Sequence, residues 1–228
     1  MSNRSLWYLE NIDVRNLFCP NKVSDQVNDD HLIVIEKDSL VYQADQPSEY
    51  IYFIVEGRIK IGSIGEDGKE MTKAILSRGE VFGELSLIGQ TNRNDQAVAL
   101  EDTKICKIST DEMKSLIKDH SSLSMFFMKL MGSKVLEMEK RLESLVFKDS
   151  RSRIVEYLTE LVNKRGQRIG YEWVVRNFIT HQEIANLTAT SRQTVTTVLN
   201  ELRNDNIITF NRKRLLIRDL ERLNAEIK

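Results

Sequence analysis

Two stretches of this chain carry side chains whose types and spacing suit chemistry with an anion. The first lies between Thr180 and Ile217. Thr180-His181-Gln182-Glu183 has the S/T-x-x-E form of a capping box, so a helix is predicted to begin just after Thr180. It runs through Ile184, Ala185 and Leu187 and breaks at Thr188-Ala189-Thr190. Ser191 stands where it can cap a second helix, RQTVTTVLNELRND, with Val195, Val198, Leu199 and Leu202 on its inner face. Two short helices joined by a tight turn, with small Ala185 at their crossing, form a helix-turn-helix. Arg192, Gln193 and Thr194 then occupy the first turn of the second helix, which meets base edges in the major groove. There a guanidinium suits guanine and an amide suits adenine. Thr196 and Thr197, one turn on, offer hydroxyls to a base or phosphate and methyls to thymine. Farther along, two apolar strands bracket Asn211-Arg212-Lys213-Arg214, a hairpin wing whose basic tip suits phosphates of any sequence. The outward face of the second helix is polar and lacks the apolar anchors of a protein interface.

The second stretch is GELSLIGQTNRNDQAVA, residues 83–99. Gly83, Glu84, Leu85 and Ser86 open it like a loop built around a phosphate. Where the anion then needs a cation, an ungapped reading supplies Asn94 and Asp95. Asp95 would meet the phosphate with like charge in a poorly screened pocket. Arg93 supplies the cation only if a one-residue shift in the Gln90–Asn92 turn brings it inward. Such a slip reverses the facing of strand side chains and displaces Ala97 and Ala99, unless the loop absorbs it. Gly83 and Glu84 also have a plain structural reading, as a turn residue and a partner for a nearby base.

These residues need elements to position them. Residues 1–30 read as a helical and irregular lead-in. From His31 to about Ser109, short β-branched and aromatic runs alternate with turn signals such as Glu66-Asp67-Gly68 and Ser77-Arg78-Gly79. That grammar predicts an antiparallel sandwich or barrel, with Gly57 at a turn of positive φ. A long helix follows. Met128, Met131, Val135, Met138, Leu142 and Leu145 fall at alternating spacings of three and four, a heptad seam flanked by charges. The stripe is narrow for a core-facing helix and predicts a parallel two-helix dimer. Asp149 or Ser150 caps a further helix ending at Gly166, and RIGYEWVVRNF reads as a hairpin turning at Gly170-Tyr171.

Composition limits the alternatives. The 228 residues, 41% hydrophobic and 29% charged, suit an ordinary globular protein of one large or two small domains. No apolar run approaches the ~20 residues of a membrane span. The first residues lack the apolar core of a secretory signal, and Cys19 and Cys106 make no metal-type spacing, so a cytoplasmic location is expected. Residues 147–228 hold 15 Lys+Arg against 10 Asp+Glu, net +5; subtraction from totals of 33 and 34 leaves 18 against 24 upstream, net −6. A basic C-terminal third is suited to a polyanion. A metal-dependent β-barrel enzyme would need clustered His and carboxylate ligands, which the sequence does not offer. A ligand-binding module alone would have no use for the paired helices and basic wing.

In this order, a β-roll, a long dimer helix and a winged helix-turn-helix, the chain resembles the CRP/FNR family of bacterial transcription regulators over roughly residues 25–220. The likeness is carried by YIYFIVEGRIKI, EDGKE, GEVFGELSLI and AVALED, and by HQEIANLTATSRQTVTTVLNELRNDNIITF. It implies an α+β fold with a jelly-roll-like effector domain over residues 1–120. A dimerisation helix over 121–147 and a DNA-binding domain over 148–228 complete the plan. It implies a homodimer on a two-fold symmetric DNA site, contact with RNA polymerase, and no enzymatic activity. The DNA-contacting set would be Thr180, His181, Gln182, Ser191, Arg192, Gln193, Thr194, Thr196, Thr197, Arg212 and Lys213. Arg192 sits where the family reads guanine; Gln193 replaces a usual glutamate and Thr197 a usual arginine. His181 lies where a phosphate-binding basic residue is common.

The same likeness assigns the effector pocket to Gly83, Glu84, Leu85, Ser86, Arg93, Asn94, Asp95, Met138 and Glu139. In cyclic-AMP-responsive members an arginine-serine pair neutralises the phosphate and a threonine-serine pair on the long helix bonds adenine. Here those pairs fall on Asn94-Asp95 and Met138-Glu139, so cyclic AMP is disfavoured, leaving another small effector or none. An iron–sulfur sensor needs about four thiolates, and two cysteines exclude it within one subunit. The isolated His31, His120 and His181 give no basis for haem. No cofactor and no metal are expected.

Overall fold

The computed structural model describes residues 31–66 and 68–227. The lead-in expected over residues 1–30, with Cys19, lies outside the described residues. The chain divides into two compact units between Lys134 and Val135.

The first unit is built on β1 (Leu32–Ile35), β2 (Leu40–Tyr42), β3 (Tyr50–Glu56), β4 (Arg58–Ile64), β5 (Glu70–Ser77), β6 (Val81–Phe82), β7 (Gln96–Ala99) and β8 (Thr103–Ser109). They form two antiparallel four-stranded sheets, ordered β1-β8-β3-β6 and β2-β7-β4-β5. Pairing of β1 with β8 and β2 with β7 rolls the chain over itself, as expected of a jelly-roll-like domain. Alternation along β3 sets the layers. Tyr52 and Ile54 point into a core with Ile59, Phe82, Ala97 and Ile105. Ile51 and Phe53 point the other way, onto Cys106, Met113, Leu123 and Phe126. A strand buried on both faces has to read as an unbroken apolar run, which YIYFIVE does. Gly57 joins β3 to β4 at φ 91°, and a Cβ there would lie 2.4 Å from Thr103 Oγ1.

Helix α1 (Thr110–Asp119) and the first turns of α2 (Ser121–Phe147) cover the second face of that sheet. In α2, Leu123, Phe126, Phe127 and Leu130 are buried. The seam residues behave differently. Met138 is 70% exposed and Leu142 63%, with Met128, Val135 and Leu145 also exposed and Met131 half-buried. The long helix therefore contributes its beginning to the β-roll core and leaves an uncovered apolar stripe along its length.

The second unit contains α3 (Ser150–Arg165), β9 (Gln167–Ile169), β10 (Glu172–Arg176), α4 (His181–Leu187), α5 (Arg192–Asn204), β11 (Ile208–Phe210), β12 (Arg214–Ile217) and α6 (Leu220–Ala225). Asp149 caps α3 by accepting from Ser152 N at 2.7 Å, and the hairpin turns at Gly170-Tyr171 with Ile169 opposite Glu172. The sheet order is β11-β12-β10-β9. Charged groups fasten the end of α2 to α3: Lys148 to Glu156 at 2.7 Å, Ser144 donating to Glu156 at 2.6 Å, and Lys164 to Glu137 at 3.3 Å.

Candidate DNA-reading surface and effector pocket

The two helices of the helix-turn-helix are held by their own end residues. Thr180 Oγ1 accepts from Glu183 N at 3.2 Å, and the Glu183 carboxylate accepts from Thr180 N at 2.7 Å, completing the capping box. Thr188 donates to Ile184 O at 2.8 Å, and Ala189 takes φ 49° so that the chain can turn. Ser191 Oγ accepts from Thr194 N at 3.0 Å and starts α5. Ile184, Ala185, Val195 and Leu199 are fully buried between the helices and α3, which fixes their crossing. Of the expected DNA-contacting residues, Thr180 and Ser191 thus serve as caps, Thr194 Oγ1 lies 2.8 Å from Ser191 Oγ, and Gln182 donates to Asn186 at 2.8 Å.

Thr196 makes contacts within the protein that the sequence did not predict. Its hydroxyl donates to Arg192 O at 2.9 Å and lies 2.9 Å from His181 Nδ1. What α5 presents outward is Arg192, Gln193 and Thr197, all exposed. At the wing, Asn211 Oδ1 accepts from Lys213 N at 2.8 Å and Arg214 N at 2.9 Å, an Asx turn that leaves Arg212 and Lys213 exposed at the tip. A rigid helix offering an exposed guanidinium and amide, beside a basic hairpin, is equipped to read a groove and grip its backbone.

Two family models match this chain. Residues 32–120 match the cyclic nucleotide-binding domain and residues 152–226 the Crp-like helix-turn-helix domain. A cyclic AMP receptor protein of Thermus thermophilus is 30% identical over 169 residues, covering 74% of each chain. The chain belongs to the CRP/FNR family. A global nitrogen regulator of a Nostoc species is 28% identical over 184 residues, covering 80% of this chain and 82% of that one. In fold it is similar to FixK2 from Bradyrhizobium japonicum, with a TM-score of 0.76 at 19% identity over 86% of this chain and 96% of that one. With a Crp-like helix-turn-helix domain and regulator relatives, this CRP/FNR chain is a DNA-binding transcription regulator, not an enzyme. No helix among its described residues is long and apolar enough to cross a membrane, and no group of three or more metal-type side chains occurs among them.

The loop at 83–99 is where residue-by-residue reading and structure part. Arg93, not Asn94 or Asp95, turns inward and is 2% exposed. Its Nη1 donates to Gly83 O at 3.1 Å, its Nη2 donates to Tyr50 O, and its guanidinium lies 4.4 Å from the centre of the Tyr42 ring. Among the described residues its Nε has no partner at all. The turn before β7 absorbs the one-residue shift, because Ala97 and Ala99 stay fully buried opposite Ile61 and Ile59. Asn94 is exposed. Asp95 pairs with Lys73 at 3.1 Å and accepts from Tyr42 Oη at 3.2 Å, so its charge is answered. Burial, reinforced by Asp95, holds the Tyr42 hydroxyl far above its ordinary pKa and keeps it a donor.

Gly83 has φ 78°, and a Cβ there would lie 2.9 Å from Arg93 Nη1 and 2.9 Å from Tyr50 O, so glycine makes the seat for Arg93. Glu84 is 3% exposed and pairs with Lys134 at 2.5 Å, while Ser86 Oγ donates to Gly83 O at 3.0 Å. Leu85 is partly exposed beside them. Met138 and Glu139 are exposed and belong to the second compact unit. Sequence reasoning missed Tyr42 and Tyr52, which frame Arg93, and did not single out Lys134 as the base that pairs with Glu84.

Proposed function

We propose that this CRP/FNR regulator acts as a homodimer on a two-fold symmetric DNA site in the cytoplasm, without dependence on cyclic AMP, and that it regulates through RNA polymerase. The observation that supports this best is the pairing of two open surfaces. Arg192, Gln193 and Thr197 stand exposed on a capped helix, and an apolar stripe at heptad spacing lies uncovered on α2. A two-stranded coil buries such a stripe and repeats the reading helix about a two-fold axis. Independence from cyclic AMP rests on the adenine side, where Met138 and Glu139 stand in for the threonine-serine pair.

A second reading is favoured by Arg93. A buried guanidinium with a free Nε, beside a Glu84 already neutralised by Lys134, suits a small anion in the β-roll. Selection of bound DNA from a random pool, followed by affinity measurement with no additive, with cyclic AMP and with cyclic GMP, separates these readings. Tight binding without additive and no response to either nucleotide is expected. Equal affinity for every sequence would sink the specificity claim, and tight cyclic nucleotide binding would overturn the independence. Sedimentation of Leu142→Asp should give a monomer where the parent gives a dimer.

A further inference from the structure

His181 opens α4, yet its ring is tied to α5. Nδ1 lies 2.9 Å from Thr196 Oγ1, and that hydroxyl donates its proton to Arg192 O at 2.9 Å. A hydroxyl has one proton to give. With it committed to the carbonyl, the contact holds only if the ring donates, so Nδ1 carries the hydrogen. In the neutral ring Nε2 is then a bare lone pair.

The surroundings offer this ring little help in holding charge. On α5, Arg192 is a cation that acts on it. On the wing, Phe210 meets it edge-on at 5.6 Å between ring centres, and Arg203 covers the same Phe210 ring at 5.3 Å. On α4 itself the Glu183 carboxylate is occupied by Thr180 N and by Thr180 Oγ1 at 2.9 Å. Burial first, and Arg192 second, push His181 below its ordinary pKa of 6.5.

The first helix of a helix-turn-helix crosses the DNA backbone, where the groups offered are phosphate oxygens, acceptors only. A bare Nε2 repels such an oxygen; a protonated one makes a charge-assisted hydrogen bond with it. We propose that His181 docks on a backbone phosphate only as the imidazolium, so each subunit takes up a proton on binding DNA. The Nδ1–Thr196–Arg192 chain passes the position of the docked ring to the start of the reading helix. Thr196 is therefore a positioning residue rather than a reader of bases.

The sign follows from linkage. The free ring resists protonation and the phosphate favours it, so uptake occurs between the free and bound pKa values. Affinity rises as pH falls through that window, by up to about tenfold per pH unit for each subunit, and levels off below the free value. The test is fluorescence anisotropy of the full chain with its selected DNA, from pH 6 to 8.5 at constant ionic strength, for the parent, His181→Gln and His181→Arg. The expected result is a steep pH slope in the parent, a flat and weaker curve for His181→Gln, and a flat and tight curve for His181→Arg. His31 and His120 are unchanged in all three and cancel in the difference. A parent slope that survives in His181→Gln overturns the proposal. So does a tight parent curve with no slope, although DNA reading would then stand. Should His181→Gln fail to fold, His181→Arg decides alone: a slope equal to the parent's overturns the proposal. A parent that binds no sequence at any pH removes the DNA reading and this inference together.

Discussion

Arg93 and Arg192 put the same guanidinium to opposite uses. Arg93 is buried, donates to two backbone carbonyls and lies over an aromatic ring. Arg192 is exposed at the start of a helix whose cap, core and turn are all satisfied without it. In the β-roll the cation is part of the fold, and any ligand must be accommodated around it. In the helix-turn-helix the fold is complete first, and the cation is left over for a partner. The difference implies that the two units fail differently when cut. The β-roll should lose stability, and the reading helix should lose only DNA.

The largest effect is expected at Arg93. Arg93→Leu strips a buried charged donor from the carbonyls of Gly83 and Tyr50, of which Gly83 O keeps Ser86 Oγ. An acceptor that loses its buried charged donor costs about 1–3 kcal/mol, so a loss of up to about 3 kcal/mol in β-roll stability is expected in denaturant melts. Gly83→Val should reproduce much of it through strain and displacement of Arg93. A neutral Arg93→Leu would mean that Arg93 is held there for a ligand alone, which would collapse the contrast.

Arg192→Ala tests the other side. It should leave melting within about 0.5 kcal/mol of the parent, as an exposed substitution does. Specific DNA binding should weaken by ~1–3 kcal/mol, with selectivity relaxed at one base position of the half-site. A large drop in stability with unchanged selectivity would reverse the roles assigned to the two arginines. A smaller effect belongs to the wing. Arg212→Gln with Lys213→Gln should weaken binding to all sequences alike and flatten its salt dependence by roughly one unit for each phosphate no longer neutralised. A change in base preference would move the wing from grip to reading.

The contrast also explains what could be read from the sequence. The helix-turn-helix is written in local spacing: a capping box over four residues, a cap at Ser191, and an inner face at Val195, Val198, Leu199 and Leu202, all of which the structure carries. The pocket depends on length and distance instead. Whether Arg93 or Asn94 faces inward is decided by how a short turn absorbs one residue, which strand alternation cannot report. Glu84 and Lys134 pair across 50 positions of sequence. The contacts of Thr196 escaped the sequence for a related reason. Its outward position on the helix is clear from spacing, but a hydroxyl that bonds back to Arg192 and meets His181 is visible only in three dimensions.

The smallest effect comes from the same histidine and carries two opposite signs. Burial and Arg192 hold His181 below 6.5 in the folded chain, so the unfolded chain binds the proton more readily. The stability that the neutral ring contributes is therefore complete above pH 6.5 and is lost as pH falls from there toward the folded value. DNA affinity is expected to move the other way, strengthening over the same fall in pH. General weakening by acid would lower both together. Urea melts of the free protein at pH 7.5 and 5.5, set beside the anisotropy series, distinguish the two cases. In His181→Gln the part of the stability difference owed to this ring should vanish along with the pH slope of binding. If only one of them vanished, the ring that ties α4 to α5 and the ring that meets DNA would not be the same titrating group.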